Sequence, residues 1–325
     1  MLTFEQALEN IEEEEVSVLL GNGFSQAWNA DIFNYKNLFE AANFGANDLA
    51  VRAIFNRFET YDFETVMDKM LGALAVLEEY DAPAELIDKI VDDSSSLKTA
   101  LINAIAQTHP AIPNNIEDGK YISARKFLAH FDNIFTLNYD LLMYWARNKS
   151  ELEPTDFHSD DGFRARRKWQ SYGTGQNVHF LHGSLHIYDT GTSILKHTYS
   201  ENGETIIDQV RENLIANKFP LFVSEPTYQK KQSKIEHNPY LNSCYEKLRA
   251  TSGVLFIYGH SIDNSDKHIF DAVRLSAINK VMVSIYGDPN SDNNQRTMAN
   301  ARTYMERHGR TVDFYDASSV SVWNA

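Results

Sequence analysis

The stretch Ser17-Val18-Leu19-Leu20-Gly21-Asn22-Gly23-Phe24-Ser25 decides the fold. Its apolar half, residues 16–20, has the length of a buried strand, and Gly21 and Gly23 bracket a tight turn into a helix. A turn of this kind presents backbone N–H groups at a helix N-terminus, where a phosphate is held without any lysine. Glycine also permits positive φ and close backbone approach, while Asn22 and Ser25 add polar side chains. The same two glycines serve a ligand-free turn equally well, so the rest of the chain has to decide between the two uses.

Further short apolar runs, at residues 133–137, 178–181, 221–223, 254–258, 281–286 and 311–315, read as strands. Helical spacing alternates with them at 34–43, 141–147, 208–217, 239–250, 266–276 and 294–308. This alternation predicts an α/β fold, a doubly wound and mainly parallel sheet that binds ligands at the carboxyl ends of its strands. Residues 1–325 are read as one such domain with two insertions. Residues 48–130 carry helical spacing at 63–77, 84–91 and 97–106 with almost no strand signal, which predicts a helical insertion. Residues 150–205 form a second insertion, an irregular polar connection over 150–176 followed by a hairpin over 189–203.

Composition removes several function classes. Asp plus Glu number 45 against 30 Lys plus Arg, a net charge of −15, which argues against direct nucleic-acid binding through phosphate neutralisation. The basic run Arg164-Ala165-Arg166-Arg167-Lys168 is the exception and reads as a solvated face. A single cysteine, Cys244, excludes an intrachain disulfide framework or a cysteine-rich zinc site. No apolar run reaches membrane-spanning length and no secretion signal is evident, so a cytoplasmic setting without membrane contact is expected.

Four polar motifs each follow an expected strand: Gly21 to Ser25, Thr136-Leu137-Asn138-Tyr139-Asp140, His182-Gly183-Ser184, and Gly259-His260-Ser261-Ile262-Asp263. A parallel sheet gathers all four along one edge. Each also has a plain structural reading. Asn138 and Asp140 suit helix caps, His182 suits a buried histidine bonded to backbone, and His260 and Ser261 suit caps of the helix near residue 266. His179, His182 and His186 have metal-ligand types, but they sit at the end of a strand rather than on one helix face, and no metal is expected. A third fingerprint glycine is missing at Gln26 and no Gly-Lys-Ser/Thr follows the turn, which disfavours an ordinary dehydrogenase and a Walker phosphate loop.

In order and spacing, the motifs Gly-Asn-Gly-Phe-Ser, Thr-Leu-Asn-Tyr-Asp, Leu-His-Gly-Ser and Tyr-Gly-His-Ser-x-Asp resemble the sirtuin-like NAD-binding family. The likeness is nearest to the bacterial branch found in antiphage-defence effectors, which hydrolyse NAD. The resemblance implies a sirtuin-like variant of the Rossmann fold with NAD as substrate. It implies that Gly21, Asn22, Gly23, Phe24 and Ser25 hold the pyrophosphate and adjoining ribose, and that Asn138 and Asp140 line the pocket for the nicotinamide ribose and attacking water. By the same resemblance His182 is the base, with Gly183 in its motif. Gly259, His260, Ser261 and Asp263 border the phosphate or ribose, and Gly287 and Asp288 fall at the adenosine half. The chain departs from the family in lacking a four-cysteine zinc ribbon and in carrying Asn22 where alanine is usual, which disfavours lysine deacylation. Uncontrolled NAD loss is lethal, so control by self-association or a regulatory protein is expected at the insertions. Two readings of other classes stay open, a non-catalytic sensor of NAD or an ADP-ribose derivative and an interaction subunit.

Overall fold

The computed structural model describes residues 1–9, 11, 15–31, 35–149, 151–198, 204–215, 219–225 and 227–324. Asn34 of the expected helix 34–43, residues 216–217 of the helix 208–217, Ser150 of the irregular connection and residues 199–203 of the hairpin lie outside the described residues. In chain order the described strands are β1 (Val16–Leu20), β2 (Asn133–Thr136), β3 (Val178–Phe180), β4 (Gly183–Ser184) and β5 (Ile187–Asp189). They continue with β6 (Ile194–Lys196), β7 (Leu221–Phe222), β8 (Ser252–Tyr258), β9 (Ala277–Ile285) and β10 (Thr311–Asp316).

Six of them build one parallel sheet in the order β10-β9-β8-β1-β2-β3. From β1 the chain steps outward to β2 and β3, returns to the opposite flank of β1 at β8, and steps outward again to β9 and β10. The reversal falls between β1 and β8, where Leu20 lies opposite Tyr258. Both faces of a parallel sheet are covered, which is why its strands read as unbroken apolar runs. Val18, Leu19 and Leu20 of β1 and Leu255, Phe256 and Ile257 of β8 are fully buried. Helices Pro239–Arg249, Lys267–Leu275 and Asp292–Met305 pack side by side in sequence order, and Asp118–Leu128 packs on Leu142–Asn148. Rossmann-like α/β architecture follows from this layering.

The strand expected at 221–223 forms but does not join the sheet. It becomes β7 and pairs antiparallel with β4, Gly183 opposite Phe222 and Ser184 opposite Leu221. Gly183 has φ +76°, turning the chain away from β3, and a β-carbon there would lie 1.8 Å from the Leu221 carbonyl oxygen. The hairpin is β5 with β6, beginning at Ile187 rather than at 189.

Between β1 and β2 the described structure is helical, with Asp48–Arg57, Phe63–Glu79 and Ala84–Thr108 as its main elements. The expected helices 84–91 and 97–106 are one helix, Ala84–Thr108. The polar run Asp92-Asp93-Ser94-Ser95-Ser96 does not break it, because Asp93 is buried and accepts a hydrogen bond from Asn47 Nδ2 at 2.6 Å. Nearby, the Arg52 guanidinium donates to the carbonyls of Phe39 and Ala42 and lies 4.9 Å and 5.1 Å from the Phe39 and Phe44 ring centres. The connection expected to be irregular at 150–176 is tied down by charge. Asp161 accepts from Arg147 at 3.1 Å and Lys196 at 2.6 Å, and Arg164 of the basic run pairs with Asp160 at 2.5 Å, leaving Arg166, Arg167 and Lys168 exposed.

Candidate functional site

At the β1/β8 boundary the two glycine-bearing turns meet each other. Gly23 N–H donates to the Gly259 carbonyl at 2.8 Å, and Gly21 N–H donates to the Tyr258 carbonyl at 2.9 Å. A β-carbon on Gly23 would lie 2.5 Å from Gly259 Cα, and one on Gly21 would lie 2.6 Å from the Gly259 oxygen. Gly259 itself has φ +68°, and its β-carbon would lie 2.6 Å from Gly23 Cα. Steric contact between the turns therefore accounts for these three glycines. The expectation of free turn N–H groups is corrected, since those of Gly21, Gly23, Phe24 and Ser25 all bond within the chain. Asn22 is exposed at the start of the short helix Gly23–Gln26. Phe24 is fully buried, its ring 5.3 Å from that of Trp323, whose indole Nε1–H donates to the Phe24 carbonyl at 2.8 Å.

Beside this boundary a buried polar triad joins the ends of β1 and β2. Ser25 Oγ donates to Asp140 Oδ2 at 2.5 Å, and Asn138 Nδ2 donates to Ser25 Oγ at 3.0 Å. Asp140 Oδ1 accepts from Leu142 N–H at 2.8 Å, so this carboxyl also serves the start of helix Leu142–Asn148. Burial pushes the Asp140 carboxyl above its ordinary range, with the Ser25 and Leu142 hydrogen bonds opposing that shift. Next to it, Leu141 N–H donates to His109 Nε2 at 2.9 Å, which leaves His109 Nδ1–H to donate to the Pro110 carbonyl. Burial holds the His109 imidazole down at about 4.

His182 follows β3, the strand beside β2, and reaches the Asn138–Asp140 segment through Tyr139. Its ring stacks on that of Tyr139 at 6.4 Å, while Ser184 Oγ donates to the carbonyls of Tyr139 at 3.0 Å and Asp140 at 3.3 Å. Tyr139 OH donates to the Val223 carbonyl, and Val223 N–H to the His182 carbonyl, so Val223, just after β7, fastens the two motifs together. His182 Nε2 lies 3.1 Å from His268 Nε2 and 3.9 Å from Asp266 Oδ1. Asp266 accepts from Lys231 Nζ at 2.9 Å on Oδ1 and from His260 Nε2 at 3.1 Å on Oδ2. His260 Nδ1 accepts from Ile262 N–H at 2.8 Å, so its proton resides on Nε2 toward Asp266. Ile262 is fully buried at φ +53°, a conformation that β-branched residues rarely adopt. Burial lowers the imidazoles of His182 and His268, the latter to about 4. Asp266 is held well below the carboxylate range by Lys231, His260 and His182 against its burial.

His182, Asp266 and His268 have ligand types that converge within 4.8 Å. The Lys231 ammonium already neutralises that carboxylate inside the protein, and a divalent ion there would face it unscreened. The other two histidines of the sequence trio point elsewhere. His179 stacks on Phe135 and contacts Gln176, and His186 contacts Ser184 and Tyr144.

The remaining expected site residues are peripheral. Ser261 and Asp263 are exposed, and Asp263 rather than His260 or Ser261 caps the following turn by accepting from Ser265 N–H. The Ser261 and Ile262 carbonyls accept from Thr297 and Asn300 of helix Asp292–Met305. Gly287 and Asp288 sit in an exposed turn after β9, where Asp288 binds Asn290 N–H and Asn294 Nδ2 and prepares that same helix. Two surface cavities of about 520 and 590 Å3 lie away from these motifs, against Trp169 and Tyr172 and on helix Phe63–Glu79. Sequence reasoning missed Lys231, Asp266, His268 and His109. Only Asp266 and His268 carried a signal, standing three and five residues beyond Asp263 on a helix start.

Among curated proteins none matches the chain. A family model matches residues 18–323, nearly the whole of the sheet and both insertions. The chain that places these four motifs on one sheet edge belongs to the family described as a domain of unknown function (DUF4917).

Proposed function

We propose that the chain binds NAD at the carboxyl edge around β1, β2 and β8 and hydrolyses the bond between nicotinamide and ribose. The observation carrying this reading is the buried hydrogen-bonded set Ser25, Asn138 and Asp140 at the carboxyl ends of β1 and β2, with Tyr139 of the same segment stacked on His182 at the end of β3. The order of the motifs, with their resemblance to sirtuin-like NAD-hydrolysing effectors of antiphage defence, supports the choice of ligand.

Nicotinamide leaves as a neutral base, so the ribose carbon becomes cationic and needs a held water and nearby dipoles. Asn138, its amide nitrogen engaged by Ser25, keeps its amide oxygen for a ribose hydroxyl or the water. Asp140 holds Ser25 and the helix start, so its work in this reading is orientation. His182 is kept neutral by burial, which leaves it able to take the proton of the attacking water. Ligand entry requires the two glycine turns to part. The Gly23–Gly259 and Gly21–Tyr258 hydrogen bonds oppose this by about 0.5–1.5 kcal/mol each, which binding energy offsets.

A second reading, a sensor that binds NAD or an ADP-ribose derivative without cleaving it, is favoured by the occupation of both Asp140 oxygens. Incubation with NAD, followed by chromatography of released nicotinamide, separates the two. Hydrolysis predicts release by the wild type and a loss of about 100-fold or more in His182→Ala and Asn138→Ala. Full turnover in both variants defeats the residue assignment, and tight binding without release selects the sensor.

A further inference from the structure

His182 does not stand alone. Its Nε2 and that of His268 are 3.1 Å apart, the two rings lie within 14° of parallel, and both side chains are buried. Between two neutral imidazoles at this distance one nitrogen carries the hydrogen and the other accepts it. Asp266 Oδ1, 3.9 Å from His182 Nε2, favours the hydrogen on His182. The lone pair of His182 is then confined to Nδ1.

We propose that His268 and Asp266 are positioning residues for His182: His268 Nε2 accepts the His182 Nε2 hydrogen, fixing the tautomer with Nδ1 open, and the Asp266 carboxylate steadies the charge when His182 takes up a proton. This rests on the NAD reading for its chemistry. There the water oxygen bonds to the ribose carbon as the C–N electron pair leaves with nicotinamide. The water proton goes to His182 Nδ1 and is later lost to solvent, giving nicotinamide, ADP-ribose and one proton.

The surroundings are arranged for this task. Lys231 and His260 hold the Asp266 carboxylate from two sides, and the His260 tautomer is itself fixed by Ile262 N–H. Tyr245 OH donates to the His268 carbonyl at 3.0 Å, anchoring the first turn of helix Lys267–Leu275. The titratable and charged groups facing the pair are Asp266 and Lys231, with His260 and Asp271 farther out, and Asp271 is engaged by Lys267.

Nitrogen-15 NMR of the histidine side chains in the full chain tests the inference without substrate. The wild type is expected to show His182 protonated at Nε2 and open at Nδ1. His268→Phe should lose that preference, while His268→Gln, which keeps an acceptor near the same place, should retain it. In turnover, His268→Phe should lower kcat about tenfold or more with KM within twofold and shift the acid limb of the pH profile. His268→Gln should recover most of the loss. An unchanged His182 spectrum in His268→Phe overturns the proposal. If His268→Phe does not fold, Asp266→Asn and His268→Gln carry the same spectral comparison, and a His182 tautomer indifferent to Asp266→Asn overturns the role given to Asp266. A wild type that releases no nicotinamide defeats the NAD reading, and the spectra still decide whether the pair exists.

Discussion

Gly259→Ala isolates the reason for the glycine turns. The residue has φ +68°, where an L side chain costs about 1–2 kcal/mol. Its new methyl would also lie 2.6 Å from Gly23 Cα, 2.7 Å from Gly23 C and 2.8 Å from Phe24 N. All three are backbone atoms held by hydrogen bonds, so they cannot swing aside as a flexible side chain would. Overpacking of this kind costs about 1–3 kcal/mol more, giving about 2–5 kcal/mol in total. Gly287→Ala is the matched control, because φ there is +78° and nothing lies within 4 Å of the added carbon. It should cost only the conformational part, about 1–2 kcal/mol. Urea unfolding of the unliganded protein, followed by tryptophan fluorescence, measures both. Were the glycines reserved for a ligand, the unliganded chain would tolerate the two changes alike. Equal losses within about 0.5 kcal/mol would refute the close packing of the β1 and β8 turns.

Two further outcomes follow from buried groups. His109 sits at about 4 in the folded chain against 6.5 when free, so the unfolded chain takes the proton first as pH falls. Stability present above 6.5 is therefore lost as pH drops toward 4, by on the order of 3 kcal/mol when complete. His109→Gln should flatten that part of the stability curve, and an unchanged slope between wild type and variant would contradict it. Trp323→Phe removes the indole donor to the Phe24 carbonyl while leaving an aromatic ring, and should cost about 0.5–1.5 kcal/mol by urea unfolding. No measurable loss would mean that this hydrogen bond contributes nothing.

The central sheet was legible because parallel strands covered on both faces leave uninterrupted apolar runs, and six of seven such runs take their places in it. Residues 221–223 looked the same in isolation, but they pair with β4, beyond the bend at Gly183, instead of joining the sheet. The continuity of helix Ala84–Thr108 through its serine-rich run was illegible for a similar reason, since Asn47, which satisfies Asp93, is remote in sequence. Within the site, strand-end placement put Ser25, Asn138 and Asp140 in one hydrogen-bonded set and His182 at the end of the neighbouring strand. What could not be read was which polar groups would already be engaged. The hydrogen bonds of Asp140, the ion pair of Lys231 with Asp266 and the facing of His182 to His268 all join segments that periodicity treats independently.

The position of β1 has a consequence for how the protein is made. This strand leaves the ribosome before every other strand of its sheet, yet it ends up in the interior of the sheet. Val16 N–H waits for Asp132, Glu15 waits for Ser252, and the Phe24 carbonyl waits for Trp323, separations of 116, 237 and 299 residues. One hydrogen-bonding edge of this oily strand stays unpaired until β2 is made and the other until β8 is made, a state that invites mispairing with other nascent chains. Assembly limited by such distant closures is slow, and its success depends on shielding β1 until β8 has been made.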